Sequence, residues 1–170
     1  MILVDTSVWI DHFRFADEGL VALLESGQVV NHHFVTGELA CGNLQNRELI
    51  LKMLKSLPQA LTAIEEEVLY FIEQQQLMGQ GLGYIDCHLL SSTALTPSTC
   101  LWTRDKRLKM AATSLNLIYN AGEVEQAVRF AKYPPWGIRG VGGERSTHWG
   151  MQLKNATQSA NDETLVIPMM

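Results

Sequence analysis

The sequence predicts an α/β fold built on a mostly parallel sheet covered by helices, and three observations predict it. Short apolar runs (MILV, the pair Val29 and Val30, and CLWT) alternate with longer stretches of helical spacing. Cap and stop residues sit between them in the order that a strand running into a helix requires. The 170 residues, 46% of them hydrophobic, suffice for one globular domain with a real core but not for a second large one.

Taken in order, MILV reads as a strand ending at Asp5, and Thr6 and Ser7 can cap a helix carrying Val8, Trp9 and Ile10. EGLVALLE gives an amphipathic helix with Gly27 as its stop, then a short strand at Val29 and Val30, then a helical stretch holding Glu38. NRELILKMLKSL is helical by the spacing of Leu49, Met53, Leu54 and Leu57, and Pro58 lies just past its end. TAIE reads as a capping box, with Thr62 as cap and Glu65 reaching back, opening a helix through Leu77. A glycine-rich turn, GQGLG, precedes an apolar helix with Asp86 near its start. CLWT is a strand that stops at Arg104 and Asp105, KRLKMAATSL resumes helical spacing, LNLIYN forms a last short strand, and EVEQAVRFAK a last helix. Beyond Lys132 the chain is rich in Gly and Pro, then polar without periodicity, so 1–131 reads as the domain and 132–170 as an irregular extension with Trp136 and Trp149 as anchors.

Composition excludes several classes. No window approaches the roughly 18 apolar residues of a membrane span, and the short apolar start is no signal peptide, so a soluble, cytoplasmic protein is expected. Cys41, Cys87 and Cys100 are odd in number and far apart, which fits neither a disulfide framework nor a CxxC metal site. A net charge of −5 argues against binding nucleic acid by diffuse attraction alone. The densest basic cluster, Arg104, Lys106, Arg107 and Lys109, reads on composition as a solvated helix start. There is no G-x-x-x-x-G-K-[ST] loop and no G-x-S-x-G elbow.

Acids are more informative. A lone carboxylate at the end of a buried strand is costly to ionise without a partner. Parallel sheets place functional residues beyond the carboxyl ends of their strands, where Asp5 and Asp105 stand, and Glu38 and Asp86 lie early in helices that point toward the same edge. Helix dipoles alone draw acids to such positions, by about 0.3–1 kcal/mol each, and that explains Glu65, Glu66 and Glu67. It does not explain acids that follow apolar runs beside Thr6, Ser7 and Thr103. Four converged carboxylates require a cation, and all-oxygen donors select Mg2+ or Mn2+ over zinc. Water held by such an ion beside an ionised acid is suited to attacking a phosphodiester, so hydrolysis of nucleic acid is the expected chemistry.

LVDTSVWIDHF, VTGELACG, GLGYIDCHLLSSTAL and LWTRDKRL together resemble, in order and spacing, the four acidic motifs of PIN-domain proteins, most closely the VapC-type toxins of bacterial toxin–antitoxin pairs. The resemblance covers residues 1 to about 131. It implies a PIN-like three-layer fold, a metal-dependent endoribonuclease, a cognate VapB-type antitoxin and a homodimer. By position, it implies that Asp5, Glu38, Asp86 and Asp105 bind the metal, with Thr6, Ser7 and Thr103 as supporting hydroxyls. The extension beyond Lys132 and Leu108, where relatives frequently carry an aromatic, depart from the pattern.

Two rival readings are weighed against this one. A haloacid-dehalogenase-like phosphatase needs a second Asp two positions after Asp5, where Ser7 stands, and a non-catalytic protein-binding module of the same fold would be expected to lose some of the four acids. Trp9, Trp102 and Cys87 are read as core packing, His88 as a helix-surface histidine, and Arg104 as an RNA-phosphate contact at the rim of the acidic pocket.

Overall fold

The computed structural model describes residues 1–120. Expectations for the helix at EVEQAVRFAK, the boundary near 131 and the anchors Trp136 and Trp149 lie outside the described residues.

Three strands, β1 (Ile2–Val4), β2 (Val29–Val30) and β3 (Cys100–Trp102), form a parallel sheet in the order β2-β1-β3. Ile2 pairs with Val29 and Cys100, and Val4 pairs with Trp102, so the central strand is the one that delivers Asp5. Among the described residues, seven helices flank the sheet: α1 (Thr6–Phe15), α2 (Glu18–Glu25), α3 (His33–Cys41), α4 (Arg47–Ser56), α5 (Glu65–Gln74), α6 (Tyr84–Leu95) and α7 (Lys106–Ser114). This is an α/β, PIN-like architecture, as the alternation of short apolar runs and helical segments dictates.

The core explains why these elements hold. Leu3, Val4, Val8, Leu89, Leu90, Leu101 and Leu108 are fully buried, so β1 and β3 lie under α1, α6 and α7. Burial of Cys87 through Thr93 without a break makes α6 an interior helix rather than an amphipathic one. Its hydroxyls are satisfied locally: Ser91 Oγ donates to the Cys87 carbonyl and Thr93 Oγ1 to the Leu89 carbonyl, each at 2.7 Å. Trp9 is buried, and Trp102 packs half-buried against Tyr119, in keeping with a core role for both.

Four local expectations are corrected. Asp5, not Thr6 or Ser7, caps α1, because a carboxylate can accept from two successive backbone N–H groups. α5 starts at Glu65 and ends at Gln74, with the Ile64 N–H donating to Glu67 at 2.9 Å, because the Thr62 hydroxyl is engaged with His33 Nδ1 instead. LNLIYN does not form a strand. It joins β3 through one bridge, Leu101 to Ile118, with the Leu101 N–H donating to the Leu117 carbonyl and the Tyr119 N–H to the Leu101 carbonyl. His88 is not on the surface: it is buried, with Phe34 and Tyr84 edge-on to its ring at 4.6 and 4.7 Å.

His32, also buried, bridges β2 to α6. Its Nε2 lies 3.0 Å from Ser92 Oγ, and its Nδ1 accepts from the Phe34 N–H at 3.2 Å. Burial, together with His33 and His88 nearby, lowers its pKa from 6.5 to about 4. The unfolded chain therefore takes up a proton that the folded one refuses. Stability is complete above about pH 6.5 and is lost as the pH falls toward 4, on the order of 3 kcal/mol from this group. We expect His32→Gln to flatten that decline when urea midpoints are measured across the window, and an unaltered slope would contradict the assignment. Replacing Leu3 on the central strand by Ala should cost about 2–5 kcal/mol in the same measurement at neutral pH.

Candidate active site

The site begins where β1 stops. The Asp5 N–H donates to the Trp102 carbonyl at 2.9 Å, so the end of the central strand is tied to the end of β3 before either chain turns away. The Asp5 side chain is 6% exposed and accepts from four donors: the Thr6 N–H at 2.7 Å, the Ser7 N–H at 3.3 Å, Ser7 Oγ at 2.5 Å and Thr103 Oγ1 at 2.8 Å. A buried carboxylate is tolerable only when so satisfied.

Each supporting hydroxyl then fixes a second group. Thr6 Oγ1 donates to Glu38 Oε2 at 2.5 Å, which joins α3 to the start of α1. Thr103 Oγ1 accepts from the Asp105 N–H at 3.0 Å, and Ser7 Oγ accepts from the Arg104 N–H at 3.0 Å, so the turn after β3 is pinned to α1. Asp105 caps α7, its Oδ1 accepting from the Arg107 and Leu108 N–H groups, both at 2.9 Å. Asp86, in the first turn of α6, accepts from the Gly83 N–H at 2.8 Å.

Electrostatics completes the picture. Burial raises the Asp86 pKa, the Gly83 hydrogen bond opposes the rise, and the charges of Asp5 and Asp105 add to it. Asp86 therefore lies within the field of both, while Glu38 reaches the same edge through Thr6. Hydrogen bonds thus link Asp5, Thr6, Ser7, Thr103, Glu38 and the backbone of Asp105, while Asp86 is related to Asp5 and Asp105 by charge alone. Asp5 is buried, Asp86 half-buried, and Glu38 and Asp105 exposed, so the acids form a slope open to solvent.

The donor set contains oxygen alone, which fits a hard divalent cation and not zinc. Among the described residues, no three His, Cys, Asp or Glu side chains form a group placed to hold a metal ion.

Arg104 pairs with acids outside the expected four. Its guanidinium bridges Asp11, at 2.8 Å, and Asp17, and so faces two carboxylates. Sequence reasoning missed both partners, although Asp11 follows Ser7 by four residues on α1 and shares the face that meets the turn after β3. Missed as well was a cleft of about 810 Å3 that touches the site only at Glu38 and is lined by Ile10, Phe13, Phe15, Leu44 and Ile50 among others. Exposed apolar residues on α1 were the available signal.

A small parallel sheet that gathers carboxylates and hydroxyls beyond its strand ends defines a PIN-like protein. Comparison with known sequences narrows the class. Ribonuclease VapC32 of Mycobacterium tuberculosis is 48% identical over 111 residues, which is 65% of this chain and 90% of that protein. The chain belongs to the VapC family of ribonucleases. Shorter similarities run to 4-hydroxy-2-oxovalerate aldolase of Rhodococcus jostii, 37% identical over 81 residues, or 46% of this chain and 29% of that enzyme. A third relative, 4-hydroxy-2-oxo-heptane-1,7-dioate aldolase of Escherichia coli, is 42% identical over 53 residues, or 30% of this chain and 20% of that enzyme. Both aldolase similarities cover too little of those enzymes to make the chain one of them. No family model matches the chain. No helix among the described residues is long and apolar enough to cross a membrane.

Thr103 serves two acids at once, so Thr103→Val should lower stability by about 1–3 kcal/mol in urea unfolding, with Thr103→Ser close to the parent. A valine variant with the parental midpoint would show that the Asp5 and Asp105 contacts are not coupled through this hydroxyl.

Proposed function

We propose that this chain is a Mg2+- or Mn2+-dependent endoribonuclease and the toxin of a toxin–antitoxin pair, acting in the cytoplasm on structured RNA. Family membership supports ribonuclease chemistry, and the observation that favours a metal is the gathering of Asp5, Asp86 and Asp105 in one field with Glu38 tethered to Asp5 through Thr6. The bound ion would be held by these four carboxylates, supplying charge neutralisation and a water activated for attack on the phosphodiester.

The chain's own groups would then do the following. Asp5, fixed by four donors, provides an oriented and already desolvated carboxylate whose position does not depend on substrate. Glu38 and Asp105, exposed and each held through one carboxylate oxygen, keep the other oxygen for ligands or water as the phosphate enters. Thr6, Ser7 and Thr103 hold the acids apart at fixed spacings that repulsion alone would enlarge.

The cleft beside Glu38 supports a partner of VapB type. Its lining mixes apolar side chains, among them Ile10, Phe13, Phe15 and Ile50, with polar ones, which suits an amphipathic segment, and Glu38 in that lining favours a basic residue on the segment, which would block the acids. Exposed Leu61, Ile64, Leu69 and Tyr70, on and just before α5, support the homodimer, which sedimentation would report as twice the chain mass.

Asp86→Asn tests the chemistry with little disturbance to the fold, since an amide oxygen can still accept from Gly83. Cleavage of total RNA should fall at least about a hundredfold in this variant. EDTA should stop the parental enzyme, and added Mg2+ or Mn2+ should restore it. Undiminished cleavage in EDTA would exclude the metal, and expression of the chain alone without slowed growth would exclude the toxin role.

A further inference from the structure

Four cations follow or flank Asp105, and their settings differ. Arg104 is neutralised by Asp11 and Asp17. Arg107 makes no ion pair among the described residues, yet its guanidinium has a fixed seat: Nη1 donates to the Gly81 carbonyl at 3.2 Å. Lys106 and Lys109 are exposed and have no comparable anchor among the described residues.

The seat has been kept clear. Gly81 has φ +73°, a backbone conformation that side chains resist, and a Cβ there would lie 2.9 Å from Arg107 Nη1 and 3.1 Å from Cδ and Cζ. A side chain at position 81 would therefore push the guanidinium from its place on this glycine turn. That turn leads directly to Gly83, whose N–H holds Asp86, while the Arg107 backbone N–H holds Asp105. The cation thus spans the gap between the anchors of two site acids. One of its five N–H donors is engaged by Gly81, and the residue as a whole is exposed.

We propose that Arg107 is the phosphate-holding residue of the site, gripping a backbone phosphate in an unpaired stretch of the RNA next to the one that is cut. An acidic site repels its polyanionic substrate, and a cation bound to neither acid yet fixed between their supports offsets that repulsion where it is greatest. Arginine suits the task because its planar fork can hold a phosphate with two hydrogen bonds while a third stays on Gly81. This proposal rests on the ribonuclease reading.

Binding of a short fluorescein-labelled single-stranded RNA, followed by anisotropy in EDTA so that no cleavage intervenes, separates the two. Arg107→Ala should weaken binding about tenfold and reduce the slope of log affinity against log salt by about 0.7, the loss of one phosphate contact. Arg107→Lys should restore the slope and only part of the affinity, whereas Arg104→Ala should leave both near the parent. In steady-state cleavage, KM should rise in Arg107→Ala with kcat within about threefold. Parental affinity and salt slope in Arg107→Ala overturn the proposal even with cleavage intact, and a lowered melting temperature with unchanged binding assigns the residue to packing alone. If the parent binds RNA in this Arg107-dependent way but never cuts it, the ribonuclease reading fails and the phosphate site stands.

Discussion

One buried carboxylate organises this molecule. Asp5 occupies the end of the central strand, accepts from four donors, and caps the helix that follows. Those donors come from α1 and from the turn after β3, so the hydrogen bonds that make the charge tolerable also lock two segments remote in sequence. Fold and site are therefore not separable here. The interaction that satisfies Asp5 is the one that sets where Asp105 and Glu38 stand.

The same economy recurs in the other acids. Asp105 and Asp17 each cap a helix with one carboxylate oxygen, while Asp86 holds the Gly83 N–H that begins α6. Capping fixes a carboxylate by its backbone contacts and leaves its other oxygen free for different work, which for Asp17 is the pair with Arg104. Anchoring of this kind explains how acids on separate elements can be held in one field without collapsing onto neighbouring lysines and arginines.

Much of this was legible in the residues. Strand-to-helix alternation, the strand-end positions of Asp5 and Asp105 and the hydroxyls beside them follow from local patterns, because parallel sheets expose their carboxyl ends to the helices that follow. Features that depend on which helix meets which were hidden. The start of α5 shifted because Thr62 is drawn to His33, a residue 29 positions away. His88 is buried because α6 runs through the interior on all sides, and no periodicity distinguishes that from an exposed helix of similar composition. Arg104 found Asp11 and Asp17 on other elements, whereas Arg107, without an acid beside it, lay down on a glycine turn.

The central claim is that Asp5, Glu38, Asp86 and Asp105 form one cation site. Paramagnetic broadening by Mn2+ in amide NMR spectra reads this directly. The account predicts that substoichiometric Mn2+ first erases the signals of residues 5–7, 38, 83–86 and 103–107, with Mg2+ restoring them. Broadening spread over several unconnected acids of the surface, or confined to one of the four, would contradict it.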